Sequence, residues 1–155
     1  MSVFSSLFSR DPLANFAYEV PPNGEFSLAN GVIVARSHKK ATNDAATCFC
    51  ASASGAYGSS ADLKRSIQKL RTLKHPNILA FWDSLETEKL TVLVTEPSIP
   101  LKNYLERSEF TEEQKEMVVS WGFYQILNGL KFLHSGVKLS LDGHVDASVF
   151  VTDAG

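Results

Sequence analysis

The heptapeptide Leu73-Lys74-His75-Pro76-Asn77-Ile78-Leu79 decides how this chain is read. Pro76 disfavours helical backbone at His75, so a helix arriving from the N-terminal side must end there. Ile78 and Leu79 then open an apolar run. Upstream, Leu63, Ile67, Leu70 and Leu73 recur at spacings of three and four, which is one face of a helix. Lys64, Arg65, Lys69, Arg71 and Lys74 supply its polar face, and Ser59 begins a Ser-Ser-Ala-Asp start signal. A basic stripe of this kind reads most simply as a solvated face.

Working outward, strands are predicted over 78–82 and 90–95, joined by the polar turn 86–89. Before the helix, 26–36 and 46–51 read as two β-runs. The polar stretch 37–44 between them, with Lys39, Lys40, Asn43 and Asp44, suits a hairpin tip, and 51–60 is a small, polar loop. Residues 1–24 carry Asp11-Pro12, Pro21-Pro22 and Asn23-Gly24, turn chemistry that marks a leader. From Pro100 the pattern turns helical. A short helix covers 101–105, and Thr111-Glu112-Glu113-Gln114 is a capping box opening a long helix to about Leu133. Met117, Val118, Trp121, Tyr124, Ile126, Leu127, Leu130 and Phe132 make that helix apolar on more than one side, as in one buried within a larger domain. The fold class is α+β, an antiparallel sheet with one helix followed by helices.

The 155 residues suit one domain with a real core, and the formal net charge of -2 gives no reason to expect nucleic acid or an anionic membrane. Cys48 and Cys50 share one strand face and read as core residues in a reducing compartment. A Cys-x-Cys pair without a second Cys or His cluster is a poor zinc signal, so no metal is expected. No apolar run approaches the roughly 20 residues a bilayer span needs. Val3, Phe4, Leu7 and Phe8 lie on one helical face, but without a basic n-region and with too short an apolar stretch they are no signal peptide. They read as a segment packed along the domain or disordered, ahead of the alternative, a small amphipathic anchor. A cytoplasmic location is expected.

The order of elements resembles the N-terminal lobe of a eukaryotic protein kinase followed by the first helices of its C-terminal lobe. Residues 73–79 resemble the turn from the lobe's helix into its fourth strand, 90–96 the fifth strand entering the hinge, and 130–134 the end of the helix before the catalytic loop. Ser9-Arg10-Asp11-Pro12, residues 38–42, 73–80 and 85–89, Ser120-Trp121-Gly122 and residues 147–151 resemble, in order and spacing, the Scy-like, or N-terminal kinase-like, family. That resemblance implies a pseudokinase at the head of a longer protein with helical repeats. It also implies scaffold or adaptor work with protein partners, coatomer among them, peripheral to Golgi membranes in Golgi-to-ER transport. The implied division is a leader over 1–24, an N-lobe over 25–97 and the start of a C-lobe over 98–155.

Phosphoryl transfer needs a glycine-rich loop, a third-strand Lys paired with a helix Glu, a catalytic Asp and a metal-binding Asn. Only Gly31 stands where three spaced glycines are wanted. Ala46-Thr47-Cys48-Phe49 aligns with Val-Ala-Ile-Lys, which puts Phe49 at the lysine position, and no Lys or Arg occurs over 41–63. Its side chain is expected towards the phosphate region or against the helix. The glutamate position is Ser66. Residues 141–148 align with His-Arg-Asp-x-x-x-x-Asn, so Gly143 replaces the base and Ser148 the metal ligand. Sliding the register to Asp142 or Asp146 recovers no Asn, since none follows Asn128. Loss of the base alone costs about 10²- to 10⁴-fold in rate. His134 and His144 read as packing or surface residues. Any nucleotide contact left would use the hinge near Thr95, Glu96 and Ser98, and no cofactor is expected. A kinase-like C-lobe needs further helices to cover Val118, Trp121, Tyr124, Leu127 and Leu130. The 155 residues are therefore expected to be a fragment exposing apolar surface.

Overall fold

Alternation along the β-runs builds one sheet with two different faces. The computed structural model describes residues 11–28, 31–54, 59–136 and 149–152. Strands β1 (Phe26–Ser27), β2 (Ile33–His38), β3 (Ala45–Ser52), β4 (Phe81–Glu86) and β5 (Leu90–Thr95) form a sheet of order β1-β2-β3-β5-β4. All its pairings are antiparallel.

The expected single run over 26–36 is in fact two strands. Gly31 has φ 83°, a backbone conformation that glycine adopts without a Cβ penalty, and it reverses the chain between them. The tip between β2 and β3 is the polar turn that its composition suggested, with Asn43 at φ 61°. The fourth strand begins at Phe81, three residues later than expected. Ile78 N–H donates to His75 O, and Ala80 is tied to Glu96 through Glu96 N–H to Ala80 O and Ala80 N–H to Glu96 Oε1. These turn bonds hold 78–80 off the ladder. The fifth strand matches its expected bounds.

One sheet face carries Val34, Phe49, Ala51 and Leu93 against Leu63 and Ile67 of the helix after β3. That helix, α2 (Ser59–Thr72), follows the short α1 (Pro12–Asn15). On its basic face Arg65 pairs with Asp62, while Arg71 lies over the Phe81 ring and donates to Ser84 Oγ. The opposite sheet face buries Ala35, Ala46, Cys48, Val92 and Val94 under Phe16 and Tyr18. The described part of the leader thus completes the second core. Glu19 N–H donates to His38 O and Lys40 N–H to Ala17 O, so its backbone runs beside the end of β2.

Beyond the sheet come β6 (Ser98–Pro100), α3 (Leu101–Arg107) and α4 (Glu112–Lys131), continued by a wider turn over Phe132–Gly136. Both bonds of the Thr111 capping box form. β6 pairs with β7 (Phe150–Thr152), a two-stranded sheet that the sequence did not suggest. As expected for a chain of this length, α4 exposes apolar side chains, namely Met117, Trp121, Phe123, Tyr124 and Leu127. It touches the rest near its C-terminal end, where Gly129 is buried against Asn77 and Phe132 stacks on His75 with ring centroids 4.6 Å apart.

Candidate functional site

The cleft implied by the kinase resemblance is bounded by β3, α2, the hinge and whatever follows the catalytic loop. Position 49 is central to it. Phe49 is 5 % exposed and packs towards α2, in one cluster with Leu63, Ile67, Val34 and Leu93. The helix residues in that cluster do not include Ser66, which is exposed and whose hydroxyl donates to Asp62 O within α2. Of the two directions expected for Phe49, the structure has the one against the helix, through Leu63 and Ile67, while Ser66 faces outward. The physical reason is simple: a phenyl ring has no use for a polar partner and takes the apolar side of the helix.

Phe150 completes the contact from the far end of the chain. Its ring meets Phe49 edge to face, with centroids 5.1 Å apart and an interplanar angle of 78°. β7 delivers it there by pairing with β6, which leaves Phe150 opposite Pro100.

The hinge is closed by a hydrogen-bond exchange. Thr47, at the small-residue position of the third-strand motif, places Oγ1 against the backbone of Ser98. Ser98 N–H donates to Thr47 Oγ1 at 2.9 Å, and Thr47 Oγ1–H donates to Ser98 O at 3.1 Å. Both residues are buried. One hydroxyl therefore uses the donor and the acceptor that the hinge offers at this position. Thr95 is fully buried and donates to Glu96 O, and the Glu96 carboxylate accepts from Ala80 N–H.

Gly31 lies at the β1–β2 reversal, away from these contacts along the ladder. Lys39 and Lys40 sit at the β2–β3 tip, five and six positions beyond Val34 of the Val34–Phe49 pair, past His38, which is itself roughly 13 Å along the strand. The Lys40 ammonium donates to Leu13 O. Gly143, Ser148, Asp142, Asp146 and His144 lie outside the described residues, as do Val3, Phe4, Leu7 and Phe8. Among the described residues no three His, Cys, Asp or Glu side chains group as metal ligands. No described helix is long and apolar enough to cross a membrane.

Sequence reasoning missed Thr47 and Phe150. A hydroxyl in a slot where the motif has a small apolar residue was the available signal for Thr47. Phe150 stood within 147–151, where it served only as part of a resemblance.

No family model matches the chain. It is 36% identical over 92 residues to the probable inactive serine/threonine-protein kinase scy1 of Dictyostelium discoideum, covering 59% of this chain and 11% of that protein. It is 44% identical over 78 residues to the serine/threonine-protein kinase WNK3 of Mus musculus, covering 46% of this chain and 4% of that protein. Against WNK4 of Homo sapiens it is 41% identical over 93 residues, 56% of this chain and 7% of that protein. The chain thus spans a small part of the length of these curated relatives. Together with the five-stranded antiparallel sheet and its helix, these similarities make this an α+β, protein-kinase-like N-terminal region.

Proposed function

We infer that this protein-kinase-like region is a pseudokinase, a binding module that scaffolds protein partners and does not transfer phosphate. The observation that carries the reading is Phe49. A buried phenyl ring stands where the chemistry needs an ammonium, seated among Leu63, Ile67 and Phe150. An ammonium at that site would lack a carboxylate across from it, because the matching helix position is Ser66. The engagement of Ser98 N–H and C=O by Thr47 adds to this, since a purine edge would have to displace a buried, doubly bonded hydroxyl.

The likeness to the Scy-like family and to a relative called probably inactive supports placing the whole protein in the cytoplasm, at Golgi membranes, in coatomer-linked transport towards the ER. This part of the reading rests on resemblance alone. Co-purification of the whole protein with coatomer tests it, and failure to co-purify sinks the transport role while leaving the inactive cleft standing.

A second reading is an ATP-binding kinase-like protein with residual or atypical Ser/Thr kinase activity. It is favoured by the WNK relatives, which are named serine/threonine-protein kinases and match at 44% and 41% identity. A thermal-shift titration with ATP, with and without Mg²⁺, run beside a phosphate-transfer assay on a generic protein substrate, separates the two. No midpoint shift and no transfer is the expected result. A saturable rise in midpoint supports retained nucleotide binding, and transfer above background overturns the pseudokinase reading.

A further inference from the structure

Cys48 and Cys50 lie two residues apart on β3, on the sheet face turned away from α2. Both are free thiols. Their sulfurs are 4.0 Å apart, the Cys50 thiol donating to Cys48 Sγ. Cys48 is fully buried, whereas Cys50 keeps partial exposure. Strand rise separates Cα atoms two residues apart by about 6.4–6.8 Å. That span falls at the far end of the roughly 4.4–6.8 Å that disulfides bridge. Side chains two apart on one strand face project in parallel, so their Cβ atoms stand beyond the roughly 3.5–4.5 Å of a disulfide, and closing the bridge has to draw the strand in.

We propose that Cys48 and Cys50 are a peroxide-responsive dithiol that converts to a disulfide within β3. The Cys50 sulfur, as thiolate, attacks one oxygen of hydrogen peroxide. The O–O bond breaks, Cys50 becomes a sulfenic acid, and the departing hydroxide leaves as water with the proton Cys50 gave up. The Cys48 sulfur then attacks the Cys50 sulfur, the S–O bond breaks, and hydroxide leaves with the Cys48 proton as a second water. Two thiols are oxidised to one disulfide while one peroxide is reduced to two waters.

Residue burial assigns the roles, because Cys48 is fully buried while Cys50 is the residue of the two that keeps partial exposure. Electrostatics agrees with it. When Cys50 ionises, the Cys48 S–H turns to donate to the thiolate, which holds Cys50 below the ordinary thiol range despite its burial. The same contact, with burial added, pushes Cys48 up, as suits the resolving thiol.

The strand also carries the change to its other face. Cys48 pairs with Ala35 and Val94, Cys50 with Ile33 and Val92, and Phe49 lies between them, paired with Val34 and Leu93. Shortening the distance from Cys48 to Cys50 bends β3 at Phe49. The ring contact with Phe150 is then the first packing on the α2 side to be disturbed. Oxidation on one face of the sheet thus loosens the plug on the other.

The test is differential alkylation with mass spectrometry on the whole protein, before and after hydrogen peroxide. Both free thiols should disappear together, the mass should fall by two hydrogens, and dithiothreitol should restore both. In Cys48→Ser, and in Cys48→Ala as a second packing choice, dimedone should trap a sulfenic acid at Cys50. In Cys50→Ser, Cys48 should stay fully alkylatable. Three results would each overturn the proposal: thiols that survive peroxide, a disulfide between two molecules, or Cys50 running on to sulfinic acid while Cys48 stays free.

Discussion

Replacing Phe49 by Ala removes an aromatic ring packed against Leu63, Ile67 and Phe150, where the cavity cannot fully collapse. The expected cost is about 3–5 kcal/mol, read as a lower urea midpoint. Phe49→Lys should be at least as destabilising and should still transfer no phosphate. An ammonium there finds no carboxylate, and the catalytic-loop alignment at Gly143 and Ser148 is untouched. Measurable transfer by that variant would show the alignment to be wrong. At the hinge, Thr47→Val keeps the shape but strands two buried backbone groups of Ser98, which should lower stability by about 1–3 kcal/mol. The packing of Phe49 against the helix was legible from the sequence, because its place in the third β-run set the sheet face it would take. The role of Thr47 was not, because its bonds reach a residue 51 positions away.

Among the described residues, α4 is held by few contacts, chiefly near its C-terminal end. A Cβ on Gly129 would lie 3.3 Å from Asn77 O, so even a methyl needs the His75-Pro76-Asn77 turn to give by a few tenths of an ångström, and a larger side chain needs more. Gly129→Leu should therefore separate the two, removing the His75–Phe132 stack. Raised amide exchange at the C-terminal end of α4, with exchange in β3 and β5 unchanged, is the measurement. Equal protection in the variant would mean that the turn yields instead. Starts and stops written in local chemistry were readable. The Thr111–Gln114 box fixes where α4 begins through two bonds within four residues. β4 was misplaced because Glu96, sixteen residues on, holds Ala80 off the ladder. Periodicity in 78–82 carries no trace of that partner.

Across the whole molecule, the two sheet faces are covered but α4 is not, with Met117 at 72 % and Trp121 at 59 % exposure. Trp121 and Tyr124 stack on each other, with centroids 5.5 Å apart. Contiguous exposed apolar patches beyond a few hundred Å² are uncommon on isolated monomers and favour association. The 155-residue chain alone should elute as an oligomer, or bind an apolar-surface dye, in size-exclusion and fluorescence measurements. A monodisperse, cooperatively melting monomer that binds no dye would sink this expectation. The apolar faces of α4 were legible in sequence, though their exposure was tied only to the length of the chain. The cover that Phe16 and Tyr18 give the outer sheet face was not, since residues 11–24 show turn chemistry without periodicity.

The contact between Phe49 and Phe150 also sets an order of events during synthesis. β5, the last strand that Phe49's own strand needs for pairing, ends at Thr95, and Phe150 is made 55 residues later. At about 5–20 residues per second the ribosome takes roughly 3–11 s over that interval. Strand pairing is far quicker, on the order of microseconds for a hairpin. The nascent sheet therefore stands complete with one aromatic ring unpartnered for seconds at a time. In that window a passing chaperone, or a small apolar molecule, meets a cleft that the finished protein no longer offers.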